Sequence, residues 1–343
     1  MWAVNNQTRF KADRAFVRDV DGAEIWLVAV RATFQFNSAG EVTLADEQQD
    51  VVLAPKYFGE PGKSSLRYDM DLVRVKPGTD ILLHASAHAP DGQPASSVDV
   101  SWQIGPISKQ LRVYGDRTWQ RGPIGLAASR PEPFAVMPIR YERALGGLLS
   151  SREDGPRDPT NTVGVGRAPV ASGPVPNCEF LKQSLFSSKA TALAPGFGPI
   201  PCDWHPRVKF AGTYDDVWKK ERQPLLPTDF QDDYYRCAPA DQQVNGFLQG
   251  GEEVVLRNLT PEGLVSFQLP RVTLGFNTHI DGGVQRHRAQ LYTVILEPDE
   301  RRLMMVWQTA LPCHHTLYTL KQTTVIEKER VPLGASPESE MAA

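Results

Sequence analysis

Prolines and glycines set the first limit on what this chain can fold into. There are 28 Pro and 27 Gly in 343 residues, roughly 16%, against an average usage of about 12%. Proline removes a backbone donor, and glycine loses the most conformational freedom on folding. Long uninterrupted helices therefore form poorly. A helical bundle or coiled coil is ruled out as the main architecture, and short strands joined by turns and long loops are expected. Hydrophobic residues at 41% and charged residues at 22% are near the globular average, so wholesale disorder is not expected.

The strand pattern is clearest over Ser97–Ile104. Val98, Val100, Trp102 and Ile104 alternate with Ser97, Asp99, Ser101 and Gln103, the period of a half-buried strand. Gly105-Pro106 then turns the chain into Ile107–Tyr114, which predicts a hairpin. Residues 25–36 form a long β-rich run. Near its end Ala32, Phe34 and Phe36 alternate with Arg31, Thr33 and Gln35, assigning the latter three to a polar face. Residues 80–89 are a further candidate, closed by the turn chemistry of Pro90-Asp91-Gly92. Later strands are expected at 253–257, 265–269, 289–296 and 303–307, with Pro298-Asp299-Glu300 as the last turn.

One helix is expected, over 213–222. Thr213 is its proposed cap with Asp216 three residues on, and Tyr214, Val217 and Trp218 form an apolar stripe. Between 122 and 206 the chain is dense in Pro, Gly, Ser and Asn. Its aromatic residues imply ordered irregular chain, not a free linker. The expected fold is mainly β, with antiparallel sheets in a two-lobed, sandwich-like arrangement and one or two short helices. The lobes are assigned to 1–121 and 207–334, the ordered central segment to 122–206, and a flexible tail to 335–343.

Several function classes fall away. A net charge of −3 gives no electrostatic case for nucleic acid or an anionic membrane as partner. The longest purely apolar run, 25–30, is far short of the ~20 residues a membrane helix needs. The opening MWAVNNQTRF has no basic stretch leading into an apolar one, so no signal peptide is read there and a cytoplasmic location is expected. Cys178, Cys202, Cys237 and Cys313 are too few for a disulfide framework in a chain of this length.

Catalytic signatures are sparse. His84 and His88 would share a face on a helix, but in a strand they stand ~13 Å apart, too far to ligate one zinc. Cys202, His205, Cys313 and His314 make a Cys₂His₂ set only if the fold gathers them. Gly164-Val165-Gly166 and Gly196-Phe197-Gly198 lack the third glycine of a dinucleotide fingerprint. Asp215-Asp216, Asp232-Asp233 and Glu252-Glu253 are adjacent acids, whose side chains point apart. The aromatic run 229–236 suits a sugar or a protein ligand. A metal-dependent hydrolase and a carbohydrate-binding β module are the alternative readings.

Longer motifs carry more. Val113-Tyr114-Gly115-Asp116-Arg117-Thr118-Trp119 precedes Met137-Pro138-Ile139-Arg140-Tyr141-Glu142-Arg143-Ala144-Leu145-Gly146-Gly147. Asn161-Thr162-Val163-Gly164, Val175-Pro176-Asn177-Cys178-Glu179 and Pro195-Gly196-Phe197-Gly198-Pro199 follow. Then come Phe210-Ala211-Gly212-Thr213-Tyr214-Asp215, Trp218-Lys219-Lys220-Glu221-Arg222 and Pro224-Leu225-Leu226-Pro227. In order and spacing they resemble a family of bacterial proteins labelled as a domain of unknown function, encoded in type VI secretion clusters beside VgrG spike and PAAR-like effector genes. The resemblance runs over nearly the whole chain, with departures at Leu145, Thr162 and Cys202. It implies a non-enzymatic adaptor or chaperone that loads a toxic effector onto the VgrG spike, with no cofactor or metal. The motif residues expected to shape the backbone or touch the partner are Gly115, Asp116, Arg117, Trp119, Tyr141, Glu142, Gly146, Gly147, Gly196, Gly198, Tyr214 and Trp218. Arg117 and Glu142 are read as a possible ion pair between segments.

Overall fold

The computed structural model describes residues 2–123, 125–181, 194–313 and 317–328. Its centre is a six-stranded sheet. Lys11–Arg18, Glu24–Phe36, Arg302–Pro312 and Gln290–Glu297 run antiparallel in that order, and Asp80–Leu83 closes the far edge parallel to its neighbour. Val42–Leu44 adds to the end of Glu24–Phe36. A five-stranded antiparallel sheet has the order Cys178–Phe180, Ile107–Tyr114, Ser97–Ile104, Glu253–Arg257, Leu264–Gln268. A four-stranded sheet has the order Ala3–Asn6, Leu320–Glu327, Leu274–Ile280, Gly283–His287. The mainly β architecture expected from the proline and glycine content is what the chain adopts.

All three sheets face one continuous core that contains Trp26, Trp102 and Phe276. Phe36 of the central sheet stacks on Phe267 of the five-stranded sheet, with centroids 4.7 Å apart. Trp26 donates its indole N–H to Thr323 Oγ1 of the four-stranded sheet at 2.8 Å. The alternation in Ser97–Ile104 is realised residue for residue, with Val98, Val100, Trp102 and Ile104 buried. Burying a tryptophan removes on the order of 200 Å² from water, worth about 5 kcal/mol. The indole N–H of Trp102 has no acceptor among the described residues, which returns about 1–3 kcal/mol. Hydrophobic burial wins that balance.

The expected polar face of residues 31–35 holds at Gln35, which is exposed, and is corrected at Arg31 and Thr33. Arg31 is 1% exposed and Thr33 is fully buried. The central sheet is covered on its second face as well, by chain drawn from residues 45–79 and 232–246. Leu27 and Ala29 pack there on Val51 and Leu72, and Arg31 pairs with the buried Asp71 at 2.9 Å. Alternation in this strand distinguishes two buried environments, not inside from outside. On the same face Asp80 accepts from Lys76 Nζ at 2.8 Å and from the Cys237 amide at 2.9 Å, and lies 3.4 Å from Arg236. Burial opposes the Lys76 charge, but Asp80 outweighs it and holds the ammonium above its ordinary range.

Residues 80–89 do not form one strand. Asp80–Leu83 joins the central sheet and Ser86–His88 pairs with Val136–Pro138, leaving His84 and Ala85 between. The helix is shorter than expected. It covers Asp216–Glu221 (α1), and its cap is Asp215, whose carboxylate accepts the Trp218 N–H at 2.8 Å. Thr213 is tied instead to Asp229, through its amide at 2.9 Å and its hydroxyl at 2.8 Å. No helix among the described residues is long and apolar enough to cross a membrane.

The stretch 122–206 is ordered irregular chain where it is described. It supplies the edge strand Cys178–Phe180 and the parallel pair Leu145–Gly146 with Val165–Gly166. Strands from 1–121 and from 207–334 lie side by side in the central and five-stranded sheets, so those segments divide the sequence and not the sheets. The tail 335–343 lies outside the described residues.

Candidate functional site

Most of the expected motif residues converge on one buried framework. Its hub is Asn161, fully buried, whose Nδ2 donates to the carbonyls of Tyr141 at 2.8 Å and Leu145 at 3.1 Å. Gly146 packs against Asn161 and Gly147 against the Gly164 carbonyl, in each case where a Cβ would overlap. Gly147 also has φ +79°, which a residue with a side chain rarely adopts. Tyr141 donates its hydroxyl to the Gly198 carbonyl at 2.8 Å. Its ring meets Trp204 edge-on at 5.7 Å and fills the space a Cβ on Gly196 would need. Burial pushes the Tyr141 phenol up, away from ionisation.

The Gly115 segment is built the same way. A Cβ on Gly115 would overlap the Glu132 carbonyl oxygen. Asp116 accepts from Arg143 at 2.9 Å and from Asn177 at 3.0 Å. Trp119 is buried and begins the ribbon Trp119–Gly122. The expected Arg117–Glu142 pair does not form. Arg117 lies 4.0 Å over the Tyr114 ring and pairs with Glu179 at 2.7 Å, whereas Glu142 accepts from the Ser65 amide at 2.7 Å and hydroxyl at 2.8 Å. Each partner was nearer to hand on a segment whose path the sequence does not show.

Beside the framework lies a cleft of about 320 Å³ lined by Phe58, Arg67, His84, Ile139, Arg140 and Glu300, among others. The Arg140 guanidinium sits 3.9 Å over the Phe58 ring. Arg67 pairs with Glu297 at 3.2 Å and Glu300 at 3.0 Å. Burial pushes the His84 imidazole down to about 4, so it is neutral at pH 7. Its Nε2 lies 2.6 Å from the Arg67 carbonyl, which can only accept, so the proton is on Nε2. His88 turns away to Asp299 at 2.9 Å. The two histidines have separate partners. Phe58 and Arg67 are in no motif, and Arg140 and Asn161 stand in the motifs without being singled out as site residues.

Tyr214 and Trp218 belong elsewhere. Residues 213–229 leave the body as an exposed excursion carrying α1. Trp218 donates its indole N–H to the Leu225 carbonyl at 2.8 Å, Leu225 packs on Gly22, and Arg222 bonds the Val20 carbonyl. These contacts tie the excursion to the turn after Lys11–Arg18. Tyr214 stays 50% exposed and Val217 59%. A depression of about 420 Å³, lined by Val217, Trp218, Arg222 and Pro227 among others, lies along it.

The remaining candidates do not assemble. Among the described residues no three His, Cys, Asp or Glu side chains converge as metal ligands. Cys313 is held at Glu24 by its amide at 2.8 Å, while the Cys202 thiol bonds Tyr234 and the His205 amide bonds the Pro159 carbonyl. His314 lies outside the described residues. None of the four cysteines is in a disulfide. In the run 229–236, Phe230, Tyr234 and Tyr235 pack edge-on or tilted against one another at 5.4–5.9 Å. Arg207 lies over Tyr234 and Arg74 over Phe230, so the rings are spent on anchoring the loop.

Residues 21–308 match the model of a family described as uncharacterized proteins conserved in bacteria, DUF2169. The chain belongs to this family. The matched span takes in the buried framework, the 320 Å³ cleft and the exposed excursion, so all three are parts of the DUF2169 region. No curated protein and no solved structure matches the chain.

Proposed function

We propose that this DUF2169 chain is a non-enzymatic, cytoplasmic adaptor or chaperone of type VI secretion. It binds a toxic effector, of the PAAR-like kind, and assists its loading onto the VgrG spike. Nucleic acid, membrane and cofactor have no part in this reading. The observation that carries it is the excursion 213–229, anchored at its base, which holds Val217 of α1 and Tyr214 just before its cap in solvent. A side chain that contributes little to its own core yet is fixed in place suits contact with another protein. The type VI context comes from the motif resemblance.

Co-expression with the neighbouring effector, followed by pull-down, tests the reading. The expected result is a stable complex, and lower effector solubility and secretion once this gene is deleted. Equal solubility and equal secretion without it would refute the proposal. A Tyr214→Ser/Val217→Ser variant should capture at least tenfold less effector, since a central aromatic contact contributes about 2 kcal/mol or more.

A further inference from the structure

We propose that a second cleft, between the central and four-stranded sheets, is a receptor for an acidic segment of the partner protein that presents an apolar side chain beside its carboxylate. This rests on the adaptor reading above. The cleft holds about 340 Å³, within the range of ligand sites. Its floor is apolar and drawn from the central sheet, the four-stranded sheet and the connection before Glu253–Arg257: Leu248, Leu274, Leu291 and Trp307, all buried. Arg288 and Lys328 stand at its rim, and no acidic residue is among its described lining.

The charge imbalance is local and built. The chain as a whole carries −3, yet neither Arg288 nor Lys328 has an ion-pair partner among the described residues. Among the described acids next to the lining residues, Glu327 pairs with Arg9 at 3.0 Å, and Glu252 accepts the Gln249 amide at 2.8 Å. Gly275 lets the aliphatic stem of Lys328 lie close over the strand, for a Cβ there would come within 2.8 Å of Lys328 Cε. The pairing of Gln290–Glu297 with Arg302–Pro312 skips register between Leu291 and Thr293. That bulge sends Tyr292 to stack on Phe247 at 5.8 Å and leaves Leu291 on the cleft floor. Bulges commonly re-aim side chains at sites of this kind. Two cations above an apolar floor fit a carboxylate on an apolar body.

The probe is N-acetyl-L-phenylalanine, with N-acetyl-L-phenylalaninamide as its uncharged twin. Binding is followed through the tryptophan indole NMR signals, with the Trp307 signal identified by Trp307→Phe. The acid should shift that signal with a Kd in the millimolar range, and the amide should bind at least tenfold more weakly. Arg288→Ala/Lys328→Ala should abolish the difference while leaving the melting temperature unchanged, because both side chains are exposed. Equal binding of acid and amide, no shift with the acid, or unchanged binding in the double variant would overturn the proposal.

A second arm addresses the source of the carboxylate. Arg288→Glu/Lys328→Glu should lower effector capture at least tenfold, more at low salt than at high. Undiminished capture would overturn the assignment to the partner while leaving the adaptor reading intact. If the wild type captures no effector, the adaptor reading falls instead, and the comparison of acid with amide still decides whether the cleft is a carboxylate site.

Discussion

The framework around Asn161 and the excursion 213–229 both carry the motifs by which the chain resembles its family, yet they are built on opposite terms. In the framework, glycines stand where neighbouring backbone leaves no room for a Cβ, and every polar group of the hub but one lone acceptor on Asn161 is tied. In the excursion, apolar side chains point into solvent and only its base is fastened. A long motif match is therefore two statements in one. One part specifies a backbone path, and the other offers a surface.

Substitutions can break or sharpen that contrast. The largest effect is expected from Gly115→Ala, whose new Cβ would displace the Glu132 carbonyl. A loss of about 3 kcal/mol or more is expected, read as a large fall in the urea midpoint or failure to accumulate folded protein. Asn161→Ala should cost about 2–3 kcal/mol, because it strands two buried carbonyls. Urea unfolding measures it, and a loss under ~1 kcal/mol would mean the hub is not what holds this segment.

Acid should act through the body and spare the excursion. Burial pushes both His84 and His287 down to about 4, against about 6.5 in an unfolded chain. Between those values the unfolded state binds more protons, so stability is full above pH ~6.5 and falls as pH drops toward 4. Melting temperature measured across that window should decline, and His84→Gln, which can keep a donor toward the Arg67 carbonyl, should flatten the slope. A slope unchanged in the variant would place the titration elsewhere. The smallest effect is expected from Tyr214→Ser/Val217→Ser, within about 0.5 kcal/mol, or roughly 1–2 °C in melting temperature. A drop several times larger would show that these side chains hold the fold together.

Much of the fold was legible where one face met water. Ser97–Ile104 announced itself by alternation, and Gly105-Pro106 by its turn chemistry. The central strand Glu24–Phe36 was legible as a strand but misleading in its faces, because Arg31 is neutralised by Asp71, forty residues away in an irregular segment. The helix cap moved from Thr213 to Asp215 because Asp229 claims Thr213 from across the excursion. Of the site, glycines and tyrosines stood out as motif members. Most groups that line the two clefts did not, since Arg140 meets Phe58, and Lys328 reaches the cleft that Leu291 lines, only after distant strands have been paired.

The pairing of Glu24–Phe36 with Arg302–Pro312 has a consequence during synthesis. Roughly 270 residues separate the two strands, which at about 5–20 residues per second is on the order of 15–50 s of translation. Through that interval the most apolar strand of the protein has its hairpin neighbour Lys11–Arg18 on one side and no mate on the other. A ribosome that stalls late releases a chain with an open, sticky edge at its very centre. A protein proposed to keep another from aggregating thus passes through the same hazard in its own making.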